Sequence, residues 1–460
     1  MIKYLKKKKL SYSKNIALHY FEKISHLPWS MILYSGYYHN LRDHFDILVS
    51  DPLITIETVG KITKITDEKK ENFSESDPFE VLKKKIEILK TLYLCKSEEN
   101  FPFQGGAVGI WSYELFRRIE NFSLIRRKSL RLPDMAIGIY LWALIVDHKK
   151  RNAFLISYDN PEDRLDWMEK QENSKKKEDF FVIERWKSNL SKKQYCDKVE
   201  RIKEYLISGD CYQINLSQRF HAKYFGDEWI AFLKSIRISQ SPLSAFIRLK
   251  KNCVISLSPE RFLRVDHNRM IETKPIKGTE VRSNNHFEDQ KNIEKLKISE
   301  KNQSENVMIV DLLRNDLGKV SVPGTIQVKE LFSIESFSLV HHLVSTIVGK
   351  LSNQYHVTDL LRSCFPGGSV TGAPKIRSMQ IIDELEPNHR YGYCGSIGYI
   401  SFCQKMDTNI NIRSFLTEDQ TMYCWSGSGI VLDSLSEKEY LETIHKFGKV
   451  LRYFRRDFVV

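Results

Sequence analysis

Glu260 in "LSPERF" and Lys277 in "PIKGT" stand in neighbouring strand-like segments separated by a short turn. A lysine and a glutamate on adjoining strands can work as nucleophile and general acid. Taken singly, each is equally at home as a surface or salt-bridge group. A second candidate is "FPGGSVTGAPK", residues 365–375, where Gly367 and Gly372 stand five apart with a lysine beyond. A nucleotide-hydrolysing phosphate loop needs that lysine directly after the second glycine, then a hydroxyl residue for Mg²⁺. Here Ala373 and Pro374 intervene, and Ile376 follows Lys375. What survives is a glycine turn whose amides can approach an anion ahead of a helix N-terminus. A tight turn without a ligand fits the same letters.

Further candidates lie towards the C-terminus. In "SEKEYLETIHKFGKVLRYF", Tyr440, Ile444, Phe447, Leu451 and Phe454 make an apolar helical stripe, with Glu439, Glu442 and Lys446 on another face. Ser436 and Glu439 have capping-box spacing, and Glu442 with Lys446 also reads as an exposed i,i+4 pair. In "TNINIRSF", strand alternation puts Ile410 and Ile412 on one face and Asn409, Asn411 and Arg413 on the other. An arginine there is a fork for a carboxylate, or a solvated side chain. Glycines in "GSG", 427–429, let backbone amides approach the same ligand. Glu305 precedes an apolar run, where helix capping also favours a carboxylate.

The elements that must position these groups are legible as patterns. "HFDILVSDPLITIETVGKITKIT" and "GIYLWALIVDHKKRNAFLISY" are strand-like, the second breaking at "DHKKRN" as a hairpin does. "VLKKKIEILKTLYL" has helical periodicity, and Ser191 caps a helix with Tyr195, Val199, Ile202 and Leu206 at helical spacing, ending at Gly209. Strands follow at "CYQINLSQRF", "CVISLS" and "FLRVDHNRMIETKPIKGT", then one long helix through "NIEKLKISEKNQSENVMIVDLLRNDLG". A meander, "CGSIGYISF", "TNINIRSFL" and "TMYCWSGSGIVL", precedes the last helix. Hairpins without strict βαβ alternation predict an α+β class with largely antiparallel sheets. The charge-dense stretch 160–193 reads as a connection, dividing the chain into regions 1–185 and 186–456.

The 460 residues are 42% hydrophobic and 28% charged, which is enough apolar material for a sizeable core. The net charge of +13 comes from Lys-rich, surface-like runs, with no Arg-rich helix or aromatic-interleaved stripe, so nucleic acid is not an expected partner. Eight cysteines without CxxC spacing read as reduced thiols. There is no signal-peptide core, and "IYLWALIV" is too short to span a bilayer, so a soluble cytoplasmic protein with no membrane partner is expected.

"DCYQINLSQRF", "LSPERF", "PIKGT", "ENVMIVDLLRNDLG", "HHLVSTIVG", "FPGGSVTGAPKIRSMQIIDELEP", "CGSIGY", "NIR" and "EYLET" occur in that order. Together they resemble the chorismate-utilising enzyme family, whose branches are the anthranilate, aminodeoxychorismate and isochorismate synthases. "SHLPWSMILYSG", "PFQGGAVG" and "LPDMAIGIYLWALIVDH" extend the resemblance through the N-terminal half. The pattern looks most like component I of the aminodeoxychorismate branch.

The resemblance implies two facing, largely antiparallel sheets flanked by helices, with the site between them. It implies that Glu305 and Glu442 hold Mg²⁺, which suits oxygen ligands, and that the metal clamps the ring carboxylate of chorismate. Gln213, His342, Gly368, Ser369, Thr371, Tyr393, Arg413, Gly429 and Lys446 would bind substrate, and Glu260 would protonate the departing C4 hydroxyl. Gln213 stands where the isochorismate branch has a water-activating lysine, and an amide cannot be that base. Lys277 stands where anthranilate synthases have a small apolar residue, and matches the proposed nucleophile at C2. The expected reaction is therefore amination at C4 with the enolpyruvyl group retained; the alternative is amination at C2 with pyruvate release. The chain has no Cys-His amidotransferase pattern, so ammonia would come from a separate glutamine amidotransferase subunit. "ILYSGYYHN" lacks the "LLES" of tryptophan-inhibited relatives, so feedback control by tryptophan is not expected, while an amino acid bound in that pocket remains open.

Overall fold

Alternation of side chains across strands explains the architecture. In the strand Trp142–Asp147, Ala143 and Ile145 join the largest apolar cluster, while Leu144 and Val146 join a second cluster with Phe21, Ile24 and Met168. Successive side chains leave a strand on opposite faces, so a strand covered on both faces reads as the unbroken apolar run seen in the sequence. The computed structural model describes residues 2–36, 45–68, 70–95, 101–120, 122, 129–171, 178–337 and 340–454. Among them are a 12-stranded and a 13-stranded sheet, antiparallel at every pairing, plus a two-stranded parallel pair. Ile47, Val49 and Ile247 of the larger sheet share one buried cluster with Ile56, Ile110 and Ile137 of the smaller, so the sheets pack face to face. The α+β expectation is met.

Both sheets take strands from either side of residue 185. Gly106–Trp111 pairs with Ser396–Ser401, and Met31–Tyr34 pairs with Leu243–Arg248. The hairpin at "DHKKRN" forms, with Asp147 opposite Asn152. The helix Lys192–Ile207 starts at a complete capping box of Ser191 and Gln194 and buries Tyr195, Val199 and Ile202. Of "ILYSGYYHN", residues 37–40 lie outside the described residues, as does the side chain of Phe447. All eight cysteines are free thiols. Among the described residues, no helix is long and apolar enough to cross a membrane.

Three local expectations are corrected. The single long helix is two, His286–Ile298 and Glu300–Gly318, because Ser299 (φ −68°, ψ 101°) ends the first and accepts from the Asn302 amide to cap the second. "TNINIRSFL" is not one strand: Met406–Ile410 belongs to the 12-stranded sheet and Ser414–Glu418 to the other. The chain must change sheets over 411–413, and Arg413 takes a left-handed φ of 51° there, so the predicted face alternation stops at Asn411. Ser436 and Glu439 make no capping box; the buried Glu439 accepts from Ser434 Oγ at 2.8 Å.

Candidate active site

The sheet-changing segments carry the chemistry. A second crossing lies between the strands Cys253–Ser258 and Arg261–Val265, and Glu260 occupies it. The two crossings are tied together: Ile410 N donates to Glu260 O at 3.0 Å and Leu257 N to Arg413 O at 3.1 Å. Backbone hydrogen bonds that cannot continue in either sheet are thus satisfied between the crossings, which fixes a carboxyl and a guanidinium beside one cleft.

Lys277 reaches the cleft from the strand Ile276–Val281. Its pairing with Val340–Lys350 shifts register between Ile276 and Thr279, and Gly278 within the bulge has φ 92°. A bulge turns a side chain out of strict alternation. Lys277 Nζ donates to Ser369 O at 3.3 Å and lies 3.9 Å from Glu305 Oε2. Thr279, on the same strand, pairs with His342 and bonds its Nδ1 through Oγ1 at 2.8 Å.

The glycine loop supplies the far wall. Gly368–Val370 forms a 3₁₀ turn, and Gly372–Ala373 pairs with Gln213–Ile214. A Cβ at Gly372 would stand 2.0 Å from Gln213 O, and φ there is 147°, so only glycine suits the position. Lys375 pairs with Asp316 and donates to Cys364 O at 2.9 Å, turning away from any anion in the loop. Pro374 stands one position before the helix Lys375–Leu385. Thr371 Oγ1 donates to Gly367 O at 3.1 Å, so this hydroxyl serves its own loop, and Gly368 is buried. Ser369 and the Ile276 amide both act to lower the Glu260 carboxyl.

Two helices bring carboxylates. Glu305 lies in the second turn of Glu300–Gly318, and Ser299, not Glu305, does the capping. Gln213 Nε2 donates to Glu305 Oε2 at 3.1 Å, a contact that a Cβ at Gly429 would block, since it would stand 2.2 Å from that nitrogen. Gln213 is buried, and its Oε1 has no hydrogen-bond partner among the described residues. Glu442, from the final helix, pairs with Lys446 at 2.7 Å, both half-exposed, and Lys446 also donates to Gly427 O at 2.8 Å. The i,i+4 pair is real, and it borders the cleft: the Glu442 and Lys446 charges both act on Lys277.

Electrostatics separates the roles. Burial pushes the Glu260 carboxyl up to about 7, against the pull of Ser369, Lys277, the Ile276 amide and Arg413. Desolvation lowers Lys277 from its ordinary value despite Glu305 and Glu260. His342 falls to about 3 through burial and the Arg413 charge, so its ring is neutral. Arg413 is itself lowered by desolvation, with Glu260 opposing. Burial acts to raise Glu442, but Lys446, Lys301 and Lys277 hold it below its usual range. The structure therefore brings Glu260, Lys277, Ser369, Glu305, Gln213, Gly429, Glu442, Lys446, His342 and Arg413 around one cleft. Tyr393 is buried behind it, stacked on Trp425 at 6.5 Å.

No residue pattern marks Asp316, Glu386 or Arg390 in advance, yet all three are buried charged groups that hold the loop. An acid and an arginine four apart at a helix end read as a surface pair, so the sequence carries no signal for them.

The family described as chorismate binding enzyme matches residues 39–452. Over 447 residues the chain is 47% identical to aminodeoxychorismate synthase component 1 of Escherichia coli (strain K12), covering 97% of this chain and 98% of that protein. It is 33% identical over 429 residues to anthranilate synthase component 1 of Aquifex aeolicus (strain VF5), covering 89% of this chain and 85% of that one. The crystal structure of anthranilate synthase component I from Streptococcus pneumoniae TIGR4 superposes with a TM-score of 0.77 at 28% identity, covering 90% of this chain and 94% of that one. With its two facing sheets and the cleft at their crossings, this chain belongs to the chorismate binding enzyme family.

Proposed function

We propose that this chain aminates chorismate at C4 by a covalent lysine route, giving 4-amino-4-deoxychorismate for p-aminobenzoate and folate synthesis. The observation that carries the reading is the pairing in one cleft of Glu260, pushed up to about 7, with Lys277, lowered from its ordinary value. Groups whose environments move their acidities towards neutrality are suited to acid and nucleophile roles at neutral pH. The neutral Lys277 amine attacks C2, and both ring double bonds move one place, from C1=C2 to C1=C6 and from C5=C6 to C4=C5. The C4–O bond breaks, and Glu260 gives its proton to the departing hydroxyl, which leaves as water. Ammonia then adds at C4, both double bonds shift back to C5=C6 and C1=C2, and the C2–N bond to Lys277 breaks. The enolpyruvyl ether is never cleaved. Arg413, Lys446 and the Gly429 amide bind the substrate's charged groups, and the neutral His342 lies on the enolpyruvyl side.

Glu305 and Glu442 would hold Mg²⁺, and the Gln213 amide, bonded to Glu305, has a further oxygen without a partner among the described residues. The fit rests on the donor set: both carboxylates act on Lys277, and the amide oxygen is buried without a partner. When bound, the ion neutralises and fixes the ring carboxylate. Among the described residues, no group of three or more His, Cys, Asp and Glu side chains gathers to hold a metal. Ammonia would be delivered in the cytoplasm by a separate glutamine amidotransferase subunit.

Incubation with chorismate, a magnesium salt and an ammonium salt tests the reading, with product mass and pyruvate followed together. Amination without pyruvate is expected; pyruvate release would instead favour the anthranilate reaction, which the similarity to anthranilate synthases keeps as the second reading.

A further inference from the structure

Behind the cleft lies a buried ion pair to which the reaction assigns no part. Arg390 and Glu386 are 1% and 3% exposed. Arg390 Nε donates to Glu386 Oε2 at 2.9 Å and Nη2 to Oε1 at 2.6 Å, a two-pronged pairing. Its remaining donors leave the pair: Nη1 bonds Val370 O at 2.8 Å and Nη2 bonds Asn215 O at 2.6 Å. Glu386 Oε1 also accepts from Ser217 N at 2.8 Å and Ser217 Oγ at 2.7 Å. The guanidinium carbon stands 4.9 Å from the Tyr113 ring centre and 5.9 Å from that of Tyr393.

The segments so joined are the ones that carry substrate groups. Val370 lies between Ser369 and Thr371, Asn215 shares a strand face with Gln213, and Tyr393 is within reach of the guanidinium. We infer that Arg390 and Glu386 are positioning residues that hold the glycine loop, the Gln213 strand and Tyr393 in one register for chorismate. This rests on the proposed reaction. Burying two charges is costly, and apolar residues of similar volume commonly give equal stability. A pair that also reaches the backbone of two separate segments is built for placement.

The test compares the wild type, Arg390→Lys, and the double variant Arg390→Met with Glu386→Leu, measuring thermal unfolding and KM for chorismate and ammonium separately. Turnover of chorismate by the wild type is the control: its failure strikes the proposed function, not the pair. The double variant should fold with a similar midpoint, and its KM for chorismate should rise on the order of 10- to 100-fold, with the ammonium KM unchanged. Arg390→Lys keeps the charge without the fork and should fall between. A folded double variant with wild-type chorismate KM overturns the inference, as does an equal loss towards both substrates. If the double variant does not fold, Arg390→Lys decides by the same criterion. If neither folds, the pair serves stability and the inference falls.

Discussion

Arg390 with Glu386 and Lys277 with Glu260 each set a base beside an acid, the first in direct contact and the second acting only at a distance. In the first, the guanidinium and carboxylate meet in a fork, and their other bonds go to fixed backbone and Ser217. Arg390 is held protonated, well above its usual value: burial works to lower it, and Glu386, with Cys394 and Tyr113 beside it, outweighs that. In the second, Lys277 reaches Ser369 O at 3.3 Å and the Glu305 carboxylate at 3.9 Å, and burial prevails on both Lys277 and Glu260. Complete pairing fixes charge and makes architecture; incomplete pairing leaves protons free to move. Only the second kind of site can do acid or nucleophilic work near neutral pH.

The largest test removes the amine. Lys277→Ala should cost about 10³-fold or more in C4 amination while leaving the folded state intact. Product analysis by mass, beside circular dichroism, checks it. A variant that still aminates C4 at the wild-type rate breaks the contrast, because the lowered lysine would then have no chemical use.

Glu260→Gln should cost about 10²- to 10⁴-fold. In the wild type, the acid is active when protonated, so kcat/KM should fall as pH rises through about 7, with free ammonia held constant. The same change should return stability. The folded pKa of about 7 exceeds the ordinary 4.5, so the folded chain holds a proton the unfolded chain has lost, and stability falls as pH rises across that window. Glu260→Gln should therefore gain on the wild type by about 3 kcal/mol between pH 4 and pH 8, read from denaturant unfolding at both. Loss of rate with gain of stability is the signature of a group that burial holds in its less comfortable state.

Glu305→Gln and Glu442→Gln should each raise the magnesium concentration for half-maximal activity by about 10- to 100-fold. Titration of activity with magnesium measures this. If neither substitution moves the requirement, these carboxylates are simple partners of Lys277 and Lys446, as the ion pairs alone would have it.

How much of this was legible depends on whether one element or two decide the outcome. The helix at 192–207 and the hairpin at "DHKKRN" follow from their own residues: a Ser-Gln box, apolar spacing, a polar turn. The letters of "TNINIRSFL" give one strand, because nothing local says that two sheets compete for it. Arg413 was readable as a carboxylate fork but not as a residue at a crossing. Ser299 looks like any helical serine until its extended backbone divides two helices. Among the candidate residues, the Thr371 hydroxyl bonds within its own loop, a contact that its letters do not announce. Glu386 and Arg390 stayed silent because burial, which sets their meaning, comes from Tyr113, Asn215 and Val370, far off in sequence.

The smallest effect separates backbone packing from side-chain packing at a single strand. A Cβ at Gly429 would meet Gln213 Nε2 at 2.2 Å, whereas one at Gly372 would meet Gln213 O at 2.0 Å. The first obstacle is the end of a flexible side chain; the second is a paired backbone carbonyl. Gly429→Ala should accordingly fold normally and lose the Gln213 bond to Glu305, worth about 1 kcal/mol. A few-fold rise in the chorismate KM with an unchanged unfolding midpoint is the expected result, and steady-state kinetics with thermal unfolding checks it. If Gly429→Ala instead unfolds the chain, the cleft is as rigid as the Arg390 pair, and its unmatched bonds cannot be the source of its freedom.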